Sequence, residues 1–366
     1  MLARRNRLPK MPASLASAVG MLALAVSTVF SGCHVSVQVE AKAEDQFVDL
    51  DWTQVLMLPI GSSVMLLLLF YYFWLLQYAL LIVLSLGSFS SVFDVARLFC
   101  ARCHSSNLKS IPSPRQSAFC ALFSGVVLFG WLIQGNLVAL DIIGCCLSIS
   151  FISMLRFPSL RLASLCLALL FFYDLFWVFF SEGIFKSNVM VAVATKQAES
   201  PVHQLGIRLG IPALQLASTK VDLPLKLLLP AGDGSGSVTI LGLGDITLPG
   251  VLCCLALRCD QAEDGDVKEN LTDSVEAPMS PVPAIVPSIS QSYSQSSGGE
   301  RRLFSFALGG YTVGLSAAFL CSGIWRQAQP ALIYIVPGII GPLCIRAYYE
   351  GRLAQLWNGP KEKRDY

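Results

Sequence analysis

Apolar runs, each about 20 residues long and almost free of charge, recur along this chain and alternate with polar connections. A run of that length crosses the ~30 Å hydrocarbon core of a bilayer as a helix. The pattern predicts nine spans, at 13–32, 55–73, 75–93, 117–134, 136–155, 160–181, 238–257, 304–324 and 330–348. The second and third run almost into one another, so the boundary between them is soft. Two longer polar segments interrupt the series. Residues 182–237 form a loop of moderate polarity, and residues 258–303 open acidic and then turn rich in Pro and Ser, with Pro278, Pro281, Pro283 and Pro287 ahead of the run from Ser288 to Gly299. Such a stretch buries too little apolar area to fold and is expected to be a disordered linker. The expected fold class is an all-α polytopic membrane bundle. It divides into an N-terminal segment with the first span (1–54), spans two to six (55–181), the loop (182–237), span seven (238–257), the linker (258–303), spans eight and nine (304–348) and a tail (349–366).

Composition agrees with a membrane protein rather than two soluble domains, because 54% of the 366 residues are hydrophobic and 14% charged. The net charge is +2, and no Lys/Arg cluster is interleaved with aromatics, which argues against nucleic-acid binding. The 12 cysteines are scattered, and Cys145, Cys146, Cys166, Cys253 and Cys254 lie in apolar runs, where a thiol acts as a small hydrophobe. Neither a disulfide framework nor, with His34, His104 and His203 alone, a histidine metal site is expected. No cofactor is implied.

Lys and Arg in short loops favour the cytosolic side. Arg97, Arg102, Lys109 and Arg115 follow span three, Arg156 and Arg161 flank the turn from five to six, and Arg352, Lys361, Lys363 and Arg364 follow span nine. With nine spans all three groups share one side, which puts the C-terminus in the cytosol and the N-terminus and the 182–237 loop in the lumen. Arg4, Arg5, Arg7 and Lys10 dissent, since a basic start before an apolar run also fits a signal peptide cut near Ser31–Cys33. Retention of the first span keeps the later loops consistent. Asn270-Leu271-Thr272 is a glycosylation sequon in the cytosolic linker, so a glycan there would invert the orientation.

Within the spans, two carboxylates ask for a reason, because an Asp at mid-membrane costs roughly 2.5–3.5 kcal/mol on insertion scales. Asp174 lies in Phe171-Phe172-Tyr173-Asp174-Leu175-Phe176-Trp177 of span six, and Asp245 ends Leu241-Gly242-Leu243-Gly244-Asp245 in span seven. Measured from their shared luminal end, each is about seven residues deep, or roughly 10 Å at the α-helical rise. Gly242 and Gly244 would let the two backbones approach. Close carboxylates share one proton, so the ionised member takes a proton from water while the protonated member polarises a scissile carbonyl. The competing explanation is that each Asp is a buried polar group bonded to a neighbouring helix. Asp141 fits that explanation: it lies near the edge of span five, where water and a helix N-terminus both favour a carboxylate, and is left outside the pair.

These residues resemble the presenilin and signal peptide peptidase superfamily of intramembrane aspartyl proteases. Tyr173-Asp174 matches its YD motif, Gly242-Leu243-Gly244-Asp245 its GxGD motif, and Gln329-Pro330-Ala331-Leu332 its QPAL motif, in the family's order on spans six, seven and nine. The similarity runs from about Leu56 to Trp357. The stretches from Asp174 to Ser181 and from Ser187 to Val191 are most similar to the type-three branch of signal peptide peptidase-like proteases. The resemblance implies a nine-helix presenilin-type bundle and hydrolysis, within the bilayer, of transmembrane segments of type II proteins. It implies Asp174 and Asp245 as catalytic residues, with Tyr173, Gly242, Gly244, Pro330, Ala331 and Leu332 shaping the site. It places the protein in the endomembrane system, the Golgi being favoured over the endoplasmic reticulum, and leaves a homo-oligomer open. Pro212-Ala213-Leu214 repeats the PAL letters without a flanking span and is read as coincidence.

A protease that cuts a helix must first unwind it and hold the extended form. Residues 189–193 and 225–229 are candidate strands, the second bounded by Pro224 and Pro230, and either would serve by β-augmentation. A short β-hairpin in the luminal loop is thus expected. Cys100-Ala101-Arg102-Cys103-His104 spells a haem-attachment pattern, but in a basic cytosolic loop free thiols or palmitoylation fit better. The alternative function is a proton-coupled transporter or channel using the same carboxylates, although no internal repeat relates the two halves. A catalytically silent scaffold is the third class.

Overall fold

The computed structural model describes residues 15–40, 47–104, 114–210, 218–230, 238–275, 302–325 and 329–359. In chain order these form α1 (Leu15–Glu40), β1 (Val48–Asp49), α2 (Trp52–His104), α3 (Pro114–Gln134), α4 (Leu137–Met154), β2 (Leu155–Arg156) and α5 (Leu160–Leu175). A π-helical turn (Phe176–Phe180), α6 (Ser181–Phe185), α7 (Val189–Ala194), β3 (Ala198–Glu199), α8 (Pro201–Leu209), β4 (Lys220–Val221), β5 (Lys226–Pro230) and β6 (Val238–Gly242) follow. The chain closes with α9 (Gly244–Val275), α10 (Arg302–Trp325), α11 (Leu332–Tyr349) and α12 (Leu353–Asn358). Among the described residues seven helices are long and apolar enough to cross a membrane. The protein is a polytopic helical membrane protein with little sheet.

Spans two and three, whose boundary is soft in the sequence, form the continuous helix α2, broken at Tyr72 (φ −115°, ψ 25°). The break frees backbone carbonyls, and the Lys196 ammonium donates to those of Leu69 at 2.9 Å and Phe70 at 2.8 Å. The ammonium also lies 5.6 Å from the Phe70 ring centroid and 5.2 Å from that of Phe73. Burial lowers the Lys196 pKa below its ordinary value. Further fastenings tie the 182–237 segment to the bundle: Trp131 Nε1 donates to the Asp222 carbonyl at 2.8 Å, and Ser218 N to that of Ile133 at 2.7 Å.

Helix α9 is the axis of the bundle. Every residue from Val251 to Leu257 is fully buried, so the helix is apolar all round, as a core-spanning element must be. Helices α1, α4, α5, α10 and α11 pack around it. Ile152 of α4 fits between Gly32 of α1 and Gly250 of α9, and a Cβ on Gly250 would stand 2.5 Å from Ile152 Cδ1. Helices α10 and α11 meet backbone to backbone through Gly310, Gly314 and Gly338. Midway along α9, Asp260 accepts from Phe304 N at 3.0 Å and Leu303 N at 3.4 Å, which caps α10, and pairs with Arg352 at 3.1 Å.

Three expectations are corrected. Residues 189–193 form helix rather than strand, because the Asn188 side chain caps α7 by accepting Val191 N at 3.1 Å, and a satisfied cap outweighs the β-preference of three valines. The run 238–257 is not helical throughout: its β-branched start, Val238, Thr239 and Ile240, pairs as β6 with β5, and the helix begins only at Gly244. The linker expected over 258–303 starts as helix, since α9 continues to Val275; extending an existing helix avoids the nucleation cost that an isolated polar segment would face. The strand expected over 225–229 is present as β5, one residue on. Residues 276–301 of the linker, Pro212-Ala213-Leu214, and the basic tail from residue 360 lie outside the described residues, as do the side chains of Cys103, His104 and Asn270.

Candidate active site

Asp174 sits one residue before the end of α5 and is 7% exposed. Immediately after it the helix widens into the π-helical turn. A π-turn misaligns the carbonyl ladder, and such turns occur often at functional sites. Here the displaced carbonyls find side chains: Asn188 Nδ2 donates to Val178 O at 3.0 Å, and Ser181 Oγ to Trp177 O at 2.5 Å. The Trp177 indole in turn donates to Ser63 Oγ of α2 at 3.1 Å, and its ring stacks on Phe185 with centroids 5.8 Å apart. The turn holding Asp174 is thereby anchored to α2 and to the following loop. Tyr173, half-buried, packs towards Trp177 with ring centroids 6.4 Å apart.

Asp245 is the second residue of α9 and is half-buried. Its depth differs in origin from the sequence estimate: it stands in the first helical turn, directly after β6, rather than two turns inside a span. Asp245 lies within electrostatic reach of Asp174, so the fold brings the two carboxyl groups into one neighbourhood. The glycines around it have different surroundings. A Cβ on Gly242 would meet Asp245 Oδ2 at 3.4 Å, whereas a Cβ on Gly244 would meet nothing within 4 Å. Gly242 leaves room for the carboxyl of its own strand-to-helix turn, not for a neighbouring helix.

The hairpin that delivers Asp245 is held from behind. Leu228 N donates to Asp141 Oδ1 of α4 at 2.8 Å. The register pairs Leu228 with Ile240 and Lys226 with Gly242. Because the Leu228 amide turns to Asp141, these are the wide pairs of the antiparallel ladder, and the backbone groups of Ile240 and Gly242 point to the edge of β6 away from β5. Leu243 N donating to Leu225 O at 3.2 Å keeps the same alternation.

Pro330 and Ala331 lead into α11, with the amides of Tyr334 and Ile335 both donating to Ala331 O at 3.1 Å. Gln329 Oε1 accepts from the Tyr334 hydroxyl at 2.7 Å, which folds the first turn back on the approach segment. Leu332 is buried in the core that contains Leu243 and Ile246 of α9, and Ala331 packs against it. Residues that the motifs did not flag also belong to this region. Asn188 braces the π-turn, Asp141 holds β5, and Tyr311 of α10 is fully buried within reach of Asp245.

A family model described as signal peptide peptidase matches residues 42–363. The chain belongs to the signal peptide peptidase family. It is 33% identical over 335 residues to signal peptide peptidase-like 1 of Arabidopsis thaliana, covering 86% of this chain and 83% of that protein. It is 32% identical over 375 residues to signal peptide peptidase-like 1 of Oryza sativa subsp. japonica, covering 96% and 94%. Signal peptide peptidase-like 3 of the same rice is 29% identical over 231 residues, 63% of this chain and 33% of that protein. Membership makes the chain a membrane-embedded protease acting on membrane-protein substrates.

Proposed function

We propose that this protein is an intramembrane aspartic endopeptidase in which Asp174 and Asp245 form the catalytic dyad. The observation that carries the reading is the approach of these two carboxyl groups, one at the end of α5 and one at the head of the buried axial helix α9. The dyad shares one proton. The ionised carboxylate removes a proton from water as the water oxygen bonds to the scissile carbonyl carbon. The other carboxyl passes its proton to the carbonyl oxygen. As the tetrahedral diol collapses and the C–N bond breaks, one diol hydroxyl gives its proton to the ionised carboxylate and the protonated carboxyl gives its own to the leaving amine, which restores the singly protonated dyad. Water, not an enzyme side chain, becomes bonded to the substrate.

The substrate must be extended before its amides are open to attack. The outward edge of β6, at Ile240 and Gly242, runs straight into Asp245, so a substrate strand added there enters beside the carboxyls. This edge replaces β5 as the pairing strand, because Asp141 already holds the outer amide of Leu228. In this reading Pro330, Ala331, Leu332 and Tyr173 shape the site, in keeping with the packing of Ala331 and Leu332 against the core that holds Leu243 and Ile246. The substrates are type II transmembrane segments, in keeping with basic loops that put the 182–237 segment in the lumen and the C-terminus in the cytosol. An endomembrane site, the Golgi before the endoplasmic reticulum, follows from the same resemblance.

The test is cleavage of a type II transmembrane peptide by the purified chain in lipid vesicles. Asp174→Ala and Asp245→Ala should each abolish product while retaining the fold. Product formed equally by all three proteins would sink the dyad.

A further inference from the structure

Helix α7 (Val189–Ala194) has six residues, too few to persist in isolation, and a side chain from outside it closes each of its ends. At the start, Asn188 Oδ1 accepts from Val191 N at 3.1 Å, while its Nδ2 donates at 3.0 Å to Val178 O in the π-helical turn after Asp174. One carboxamide thus joins the helix to that turn. At the finish, the Lys226 ammonium of β5 donates to Ala194 O at 2.8 Å, which places a cation at the helix C-terminus. Asp222 Oδ1 steadies the same ammonium at 2.9 Å. Lys226 stands opposite Gly242 in the hairpin, and Gly242 precedes Asp245 by three residues. Named contacts therefore run from the turn that holds Asp174, through α7, to the strand that delivers Asp245.

Resting on the dyad reading above, we propose that α7 is a strut that sets the spacing of Asp174 and Asp245, with Asn188 and Lys226 as the positioning residues at its two ends. A helix suits this task because its own hydrogen bonds fix its length, about 9 Å for six residues. The strut is seated as well as tethered: Val189 is fully buried, and α7 packs against α2 and the π-turn. The Asn188 end has a second effect. A π-turn carries one residue more than the α-helical path, and Asn188 occupies the Val178 carbonyl that the widening displaces. Without that donor the turn can close to α geometry, a shift of one residue that rotates Asp174 against α7 by about 100°. Ser63 and Ser181 also hold the turn, but they fasten it to α2 and α6, not to the hairpin. Both positioning residues act through backbone carbonyls and so bear on where the carboxyls stand rather than on the reacting atoms.

The experiment compares full chains in lipid vesicles, reading kcat and KM on a type II transmembrane peptide together with the melting temperature. Asn188→Ser keeps a capping oxygen for α7 but lacks the reach to Val178. Lys226→Met keeps the length of the side chain and loses the donor. Each should lower kcat about tenfold or more at nearly constant KM and melting temperature, because a small misplacement of a reacting group is costly in rate. Lys226→Arg retains a donor for the last carbonyl and should recover most of the wild-type kcat; a rate no better than that of Lys226→Met would overturn the role of the donor. Two supports in series fail together, so the double variant Asn188→Ser, Lys226→Met should have the kcat of the slower single variant. Losses that multiply would mean independent supports and overturn the strut. A fall of kcat in step with the melting temperature, or a chain that fails to fold, would show plain structural support and overturn it too. Unchanged kcat in both single variants with Asp174→Asn inactive would overturn the strut and leave the dyad standing, whereas activity in Asp174→Asn would overturn both.

Discussion

Asp141 of α4 accepts the backbone amide of Leu228 at 2.8 Å, so a carboxylate two strands away from Asp245 decides which edge of the hairpin is open. Replacing it with Ala leaves a buried N–H unpaired, a cost of about 1–3 kcal/mol. Asp141→Asn keeps an accepting oxygen and should restore most of the loss. A thermal melt in detergent should rank wild type above Asn above Ala, with cleavage following the same order because β6 carries Asp245. Equal melting of Ala and Asn variants would show that the contact does not hold the hairpin.

Gly250 predicts a size limit where α1, α4 and α9 meet. A Cβ there stands 2.5 Å from Ile152 Cδ1 and 3.5 Å from Val29 Cγ2. Gly250→Val should destabilise by about 1–3 kcal/mol through overpacking. Ile152→Ala removes the obstructing atoms, so the double variant should be more stable than the sum of the single effects. Additive losses measured by chemical unfolding would mean the three helices separate freely at this point.

Lys196 predicts a pH dependence whose sign is set by its burial. Its pKa in the fold lies below the ordinary 10.5, so the folded chain holds that proton less tightly than the unfolded chain. The fold therefore gains stability as pH rises through the lowered value, and the gain is complete above 10.5. Lys196→Arg stays charged throughout and lacks the gain. The melting temperature of wild type relative to Lys196→Arg should rise between neutral pH and about pH 10. A constant difference would remove titration of this group as a source of stability.

What the sequence made legible follows the range of the forces involved. The apolar runs set helix lengths directly, and α3, α4 and α11 begin or end within a few residues of the predicted spans. The strand at β5 was visible because two prolines bound it. Its partner was hidden, since Val238–Gly242 is as apolar as the helix it precedes and only pairing across the loop makes it a strand. Asn188 looks like any polar loop residue until the π-turn offers it the Val178 carbonyl. Asp174 and Asp245 stood out because a charge in an apolar run is rare. Tyr311 did not, because a tyrosine in such a run is ordinary and its neighbour across the helix pair is 66 residues away in sequence, a distance no local pattern spans.

The two glycines of the Gly242-Leu243-Gly244-Asp245 turn should respond differently to substitution. Neither has a left-handed backbone, so any L residue fits the chain conformation at both positions, and space alone decides. At Gly242 a Cβ would touch Asp245 Oδ2 at 3.4 Å, so Ala is borderline, and the second methyl of Val would turn the carboxyl away from Asp174. Gly242→Val should thus lower kcat at least about tenfold, because a displaced base loses its aligned geometry. At Gly244 a Cβ meets nothing within 4 Å, and Gly244→Ala should keep kcat within about threefold and slightly favour the helix start. Had the glycines served to let α5 and α9 approach, both substitutions would spread the helices and both would lower stability. Single-turnover cleavage together with a melt separates the two accounts: loss of rate at full stability for Gly242→Val alone supports the carboxyl seat, and parallel loss of stability in both variants supports helix approach.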